Sequence, residues 1–287
     1  MKSVKKYPAV EYARIMAGLP VLAVKRAVGV FLGKPATLTV PLFHDIPLGE
    51  RDKFESLIEY LHSNYQIIFP EQLDQLRSGG LSESRGSRYC LITFDDGFSS
   101  DYGIVLNVLK KYGIKALFFI CPGIIEKRAS EQGLLIKENI GNPREGLSLM
   151  SWGQLAELLG KGHAVGCHTS FHRRLTDENL CHFQEEIVGA KALIKERLGV
   201  DTRWFAYPFG DAGSICRDAV SLIRNHYDYC FSGVRGINTE IGRGSMFFRQ
   251  SIDLGRSLYS QKLFLQGAFD PLYKGPRRKL KALDLDF

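Results

Sequence analysis

Residues 89–97 read Tyr-Cys-Leu-Ile-Thr-Phe-Asp-Asp-Gly. The run Tyr89–Phe94 carries no charge and then stops on two carboxylates and a glycine. A short apolar run bounded by a turn signal predicts a strand covered on both faces, the habit of parallel sheets. The spacing that follows predicts a helix over Ser99–Tyr112. Outward from this unit the same alternation recurs. Strands are predicted over Thr37–Phe43, Ala116–Cys121, His163–His168, Trp204–Tyr207, Tyr229–Ser232 and Phe247–Ile252. Helices are predicted over Lys53–Ser63, Glu71–Ser78, Ser151–Leu159, Asp177–Leu198 and Ala212–Asn225. In the 177–198 helix, Leu180, Phe183, Ile187, Ala190 and Ile194 fall at helical spacing, Thr176 is placed to cap the start and Gly199 to end it. Seven apolar strands linked by helices predict an α/β protein with a closed or nearly closed parallel barrel, whose chemistry gathers at the C-terminal strand ends.

The polar motifs lie at those ends. In a regular strand Asp95 and Asp96 would point to opposite faces. Gly97 permits a sharp turn that brings both carboxylates to the strand end. One carboxylate can then bind a divalent metal while the other, ionised beside the cation, takes a proton from water. The residues alone do not say which Asp has which task, and an Asp-Asp-Gly turn by itself also fits a plain strand-to-helix connection. The strand His163-Ala-Val-Gly-Cys-His168 ends in a histidine, and Thr-Ser-Phe-His172 follows. Two neutral imidazoles and one carboxylate make a three-ligand site with open positions.

Thr93-Phe-Asp-Asp-Gly97 with His168-Thr-x-x-His172 resembles the NodB-type polysaccharide deacetylases, carbohydrate esterase family 4. The likeness runs over residues 36–255 and takes in Ser151-Trp152 and Phe205-Ala-Tyr-Pro-Phe-Gly210. It implies a distorted (β/α)7 barrel and a metal-dependent hydrolase that removes N-acetyl groups from an amino sugar in a polysaccharide, oligosaccharide or glycolipid. It implies Asp95 as catalytic base and Asp96, His168 and His172 as ligands of a divalent metal, zinc by default, with nickel, cobalt, iron or manganese fitting the same donors. Two departures stand out. The arginine expected in the third motif is replaced by Ala206, so its task must move to Arg203 or Arg249 or be absent, and Phe209 stands where a tyrosine is usual. Phe209 still supplies the backbone N–H implied for oxyanion stabilisation. The C-terminal Leu-x-His motif is also missing. Pro41-Leu-Phe-His44-Asp45-Ile46 resembles the N-terminal pattern of a circularly permuted branch, which implies His44 as general acid, with Asp45 a weaker candidate to orient it. A catalytically inactive carbohydrate-binding barrel is the alternative that these departures raise.

Composition bounds the rest. The 287 residues carry a net charge of +7, with +6 in residues 1–40 and +3 in 271–287, so the middle sums to −2. That distribution argues against a nucleic-acid groove in the core. The division expected is a basic, apolar N-terminal segment 1–35, the catalytic domain 36–255 and a basic tail 256–287, with solvated ends or peripheral membrane contact as the alternatives for both termini. No secretory signal is evident, and the six cysteines lack CxxC spacing, which points to reduced thiols and a cytoplasmic setting. Trp152, Trp204 and Tyr207 are candidates for a sugar-binding wall, Trp204 being favoured for the core.

Overall fold

In a computed structural model of the protein, residues 16, 18–23, 36–81, 86–142, 144, 146–239 and 246–284 are described. Most of the segment 1–35 lies outside them. The strands are β1 Thr37–Thr39, β2 Pro41–Phe43, β3 Gln66–Ile67, β4 Arg88–Cys90, β5 Thr93–Phe94, β6 Leu117–Ile120, β7 Ala164–Cys167, β8 Trp204–Ala206, β9 Tyr229–Phe231, β10 Met246–Phe247 and β11 Gln250–Ser251. Eight of them form one sheet in the order β10-β9-β8-β7-β6-β5-β2-β11, every pairing parallel.

The two edges of that sheet are consecutive in sequence. β10 pairs with β9 and β11 with β2, and only Phe248 and Arg249 lie between them. Met246–Ser251 is thus one broken strand whose halves stitch opposite edges together, so the sheet curls into a seven-segment α/β barrel. The sequence signals for Thr37–Phe43 and Tyr89–Phe94 each split in the same way. Their first halves, β1 and β4, leave the barrel and join β3 in a three-stranded parallel sheet at its floor.

Side-chain alternation explains the unbroken apolar runs. Leu117, Phe119, Trp204, Ala206, Tyr229 and Phe231 pack together inside the barrel with Leu38, Tyr89 and Leu91. Their neighbours Phe118, Ile120, Phe205 and Cys230 face outward, with Phe94, into a second core beneath the helices. Gly166 in β7 makes room for the inner layer, since a Cβ there would sit 2.5 Å from the Phe119 ring. Trp204 and Tyr207 are buried core residues and do not form a sugar-facing wall.

Two expectations need correction. The segment 177–198 is not one regular helix. It runs as a 3-10 turn Asp177–His182, a wide i→i+5 stretch Gln184–Gly189 and an α-helix Ala190–Leu198, and Thr176 makes no side-chain cap. The wider winding turns both Glu186 and Ile187 inward, whereas a regular amphipathic pattern would bury the apolar residue alone. Gly199 does end the helix with φ 72°. The segment 256–287 is not a solvated tail over its described part. Leu258–Leu265 and Lys274–Asp284 are helices. Leu263, Leu265 and Leu280 are buried, and Asp270 accepts hydrogen bonds from Gln250 Nε2 and the Ile237 N–H, both at 3.1 Å. Apolar residues at helical spacing hold this segment to the barrel despite its charge.

Candidate active site

Asp95 and Asp96 follow β5, where the Asp95 N–H donates to the Phe43 carbonyl at 2.9 Å and so fixes the motif against the end of β2. Asp96 and Gly97 both turn left-handed, with φ 70° and 78°. The sharp turn therefore uses the aspartate as well as the glycine. A Cβ on Gly97 would meet Ile120 Cγ2 at 3.0 Å. Among the described residues, the non-glycine positions with positive φ are Asp96, Thr169, His172 and Phe209. All four belong to the motifs picked out from the sequence. Backbone held in such sparsely populated conformations clusters at functional sites because the surroundings must force it.

His168 and His172 converge on Asp96. Nε2 of His168 lies 3.6 Å and Nε2 of His172 3.4 Å from Asp96 Oδ1. One ligand atom from each of the three residues falls within 4.8 Å of the others, and all three side chains are buried. The far ring nitrogens are occupied. His168 Nδ1 donates to the Ala206 carbonyl at 2.7 Å and His172 Nδ1 to the Asn139 carbonyl at 2.9 Å. A carbonyl can only accept, so each ring carries its proton on Nδ1 and turns a lone pair on Nε2 toward Asp96.

This geometry passes the test for a metal. Burial lowers the pKa of both histidines, that of His168 to about 3, so both imidazoles are neutral donors. Asp96 Oδ1 is buried without a hydrogen-bond partner among the described residues. A buried carboxylate oxygen left bare is costly unless something else satisfies it. Burial, and then Asp95, push the Asp96 carboxyl up to about 7, with His44 opposing them. Tetrahedral bonds of about 2.1 Å place ligand atoms about 3.4 Å apart, close to the 3.6 and 3.4 Å between Asp96 Oδ1 and the two histidine Nε2 atoms.

Asp95 behaves differently. Burial acts to raise its pKa, but Arg249, with help from His168, holds the carboxyl below its usual range. Arg249 Nη1 donates to Asp95 Oδ1 at 2.7 Å, Nη2 to Oδ2 at 2.8 Å and Nε to the Ser232 carbonyl at 2.8 Å. Arg249 is only 1% exposed. Of the two arginines considered for the absent motif residue, it is therefore Arg249 that meets Asp95. Arg203 pairs with Asp74 and Asp228 at the opposite ends of the strands. Arg249 sits in the break between β10 and β11, where the closing strand changes partners and its side chain enters the barrel.

His44 follows β2, is exposed at the mouth and stands near enough to act electrostatically on both Asp95 and Asp96. Asp45 is engaged elsewhere. It accepts from Ser100 Oγ at 2.5 Å and pairs with Arg144 at 2.6 Å, and Asp101 Oδ1 accepts from the Ile46 N–H at 2.8 Å. Asp45 therefore ties down the turn that carries His44 and has no orienting contact with its ring. Phe209, 46% exposed, packs its ring against His172 at 4.9 Å with the Arg174 guanidinium 4.0 Å from its centroid. Asn139, Glu186 and Arg144 were not singled out from the sequence, because nothing local marks residues that act from remote segments.

Comparison with known proteins follows the geometry. Residues 82–226, half of the chain, match the model of the polysaccharide deacetylase family. A Bacillus subtilis (strain 168) protein provisionally named a polysaccharide deacetylase, YxkH, is 28% identical over 184 residues, 62% of this chain and 58% of that protein. A bifunctional xylanase/deacetylase of Pseudobutyrivibrio xylanivorans is 26% identical over 45% of this chain and 18% of its own. The chain thus spans less than two thirds of the length of these curated relatives. Among solved structures, IcaB from Ammonifex degensii superposes with a TM-score of 0.66 at 24% identity, covering 81% of this chain and 98% of that one. The Streptococcus pyogenes deacetylase PplD, solved with acetate, gives 0.64 at 19% identity over 81% and 99%. At these identities the two structures establish the fold. The match over residues 82–226, half of the chain, shows that the chain belongs to the polysaccharide deacetylase family.

Proposed function

We propose that the protein hydrolyses N-acetyl groups on an amino sugar of a polysaccharide, oligosaccharide or glycolipid. The observation that carries this reading is the separation of two adjacent carboxylates by their partners. Asp95 is kept ionised by Arg249, while Asp96 leaves an unpartnered oxygen facing two neutral imidazoles. Asp96 Oδ1, His168 Nε2 and His172 Nε2 would hold a divalent cation, zinc being the default for this donor set. Such a cation, when bound, polarises the amide carbonyl and acidifies the attacking water.

The chain's own groups supply the remaining steps. Asp95 takes the proton of the attacking water as its oxygen bonds to the acetyl carbon. The Phe209 N–H donates to the carbonyl oxygen as charge builds there. His44 gives a proton to the departing nitrogen as the C–N bond breaks, leaving acetate and a free amine. Exposure of His44 at the mouth suits a group that must meet the substrate nitrogen. In this reading residues 36–255 hold the chemistry and the C-terminal helices brace it. No described helix is long and apolar enough to cross a membrane.

Acetate released from a panel of N-acetylated oligosaccharides and glycolipids, before and after chelation and Zn2+ repletion, tests the proposal. Release that chelator abolishes and metal restores is expected. A fully metallated protein that liberates no acetate from any of them would overturn the hydrolase reading.

A further inference from the structure

The turn that presents His168 and His172 is strained, with φ of 62° at Thr169 and 57° at His172. Each such position costs about 1–2 kcal/mol, so neighbouring structure must hold it. The hold falls on the backbone of one residue. The Phe171 N–H donates to Glu186 Oε2 at 2.9 Å. The Phe171 carbonyl accepts from Asn139 Nδ2 at 2.8 Å, and the carbonyl of the same Asn139 receives His172 Nδ1 at 2.9 Å. Phe171 is gripped on both sides immediately before the ligand.

Both grips come from unusual backbone. Asn139 lies in Ile136–Ile140 and Glu186 in Gln184–Gly189, each wound with i→i+5 bonds. Such wide turns are rare and concentrate at functional sites. Glu186 is fully buried, with Arg173 Nη1 3.5 Å from its other oxygen. Burying a carboxylate is expensive unless it is paired and hydrogen-bonded, and Glu186 has the Phe171 N–H and Arg173 as partners. Here it holds the turn and makes no contact with Asp96.

We propose that Glu186 and Asn139 are positioning residues that clamp the Phe171 backbone on both sides, aim His172 Nε2 at Asp96 and thereby set metal affinity. This rests on the metal-centre reading above, and the test separates the two. Zn2+ affinity is measured by chelator competition for wild type, Glu186→Ala, Glu186→Gln and Asn139→Ala, alongside thermal unfolding of the metal-free proteins. Glu186→Ala is expected to weaken Zn2+ binding by about 10- to 100-fold and Asn139→Ala by about tenfold, with Glu186→Gln within about threefold of wild type because its amide oxygen still accepts the Phe171 N–H. Acetate release at saturating Zn2+ recovers in all three.

A folded Glu186→Ala protein with wild-type Zn2+ affinity and only a lower melting temperature overturns the clamp, as does Glu186→Gln binding as weakly as Glu186→Ala. Where Glu186→Ala does not fold, unchanged affinity in Asn139→Ala overturns it by the same measure. A wild type that takes up no Zn2+ overturns the metal centre, and the clamp with it.

Discussion

Two of the arginine–aspartate forks among the described residues, Arg249–Asp95 at the mouth and Arg203–Asp74 at the floor, are opposites. At the mouth Arg249 grips Asp95 across 154 positions of sequence, with the side chains 1% and 3% exposed. At the floor Arg203 grips Asp74 across 129 positions through contacts of 2.6 and 3.1 Å, with 41% and 47% exposure, and Tyr229 and Asp228 join the group. The hydrogen-bond pattern is nearly the same, but the surroundings are not. In water a fork is screened and worth little. Inside the barrel neither charge survives without the other, so the mouth pair fixes a protonation state while the floor pair trims a surface. A charged pair becomes machinery when burial leaves it no alternative.

The sharpest way to break this contrast is catalytic. His168→Ala should lose metal and acetate release together, and Asp95→Asn should cut turnover about 10²- to 10⁴-fold with metal retained. Metal analysis beside acetate release checks both. No change at Arg203 should approach either effect.

Next comes stability. Arg249→Met leaves Asp95 buried and unpaired and should cost about 3–5 kcal/mol by denaturant unfolding of metal-free protein. The pH dependence has a definite sign. Asp95 has a folded-state pKa below its unfolded value. Its contribution is therefore present above about pH 4 and is lost as the pH falls through the lower, folded value. The gap between wild type and Arg249→Met should shrink on acidification. A gap that does not change with pH would mean that Asp95 is not its source.

A smaller effect tests the strain that accompanies the mouth. Gly97→Ala must adopt φ 78° and meet Ile120 at 3.0 Å, and should cost about 1–2 kcal/mol. Smallest of all, Arg203→Ala should change stability by about 0–1 kcal/mol and leave acetate release unaltered. A multi-kcal/mol loss there would erase the contrast between the ends.

Much of the site was legible in the chain. Asp95 and Asp96 announce themselves by ending an apolar strand on a glycine, and His168 and His172 by their spacing after another. The strand–helix alternation carries the barrel because parallel strands covered on both faces cannot hide polar residues. Other features were hidden for physical reasons. β3 is two residues long and gives no period. The wide winding of Gln184–Gly189 uses the same residue types as a regular helix. The C-terminal helices were masked by their charge, since a cationic surface says nothing about the leucines beneath it. Arg203 and Arg249 were equal candidates, because sequence distance does not show which one a closing strand turns inward.

The sequence by itself brought forward Asp95, Asp96, His168 and His172 as candidate site residues, without dividing the tasks of the two carboxylates, and the parallel architecture that gathers them at one rim. These are local properties: side-chain chemistry, period and turn geometry act within a few residues. Tertiary structure alone decided that Arg249 holds Asp95, that Asp45 serves Arg144, and that Asn139 and Glu186 grip the backbone before His172. Those choices depend on which distant segments become neighbours when the sheet closes, and on how much water is left between them.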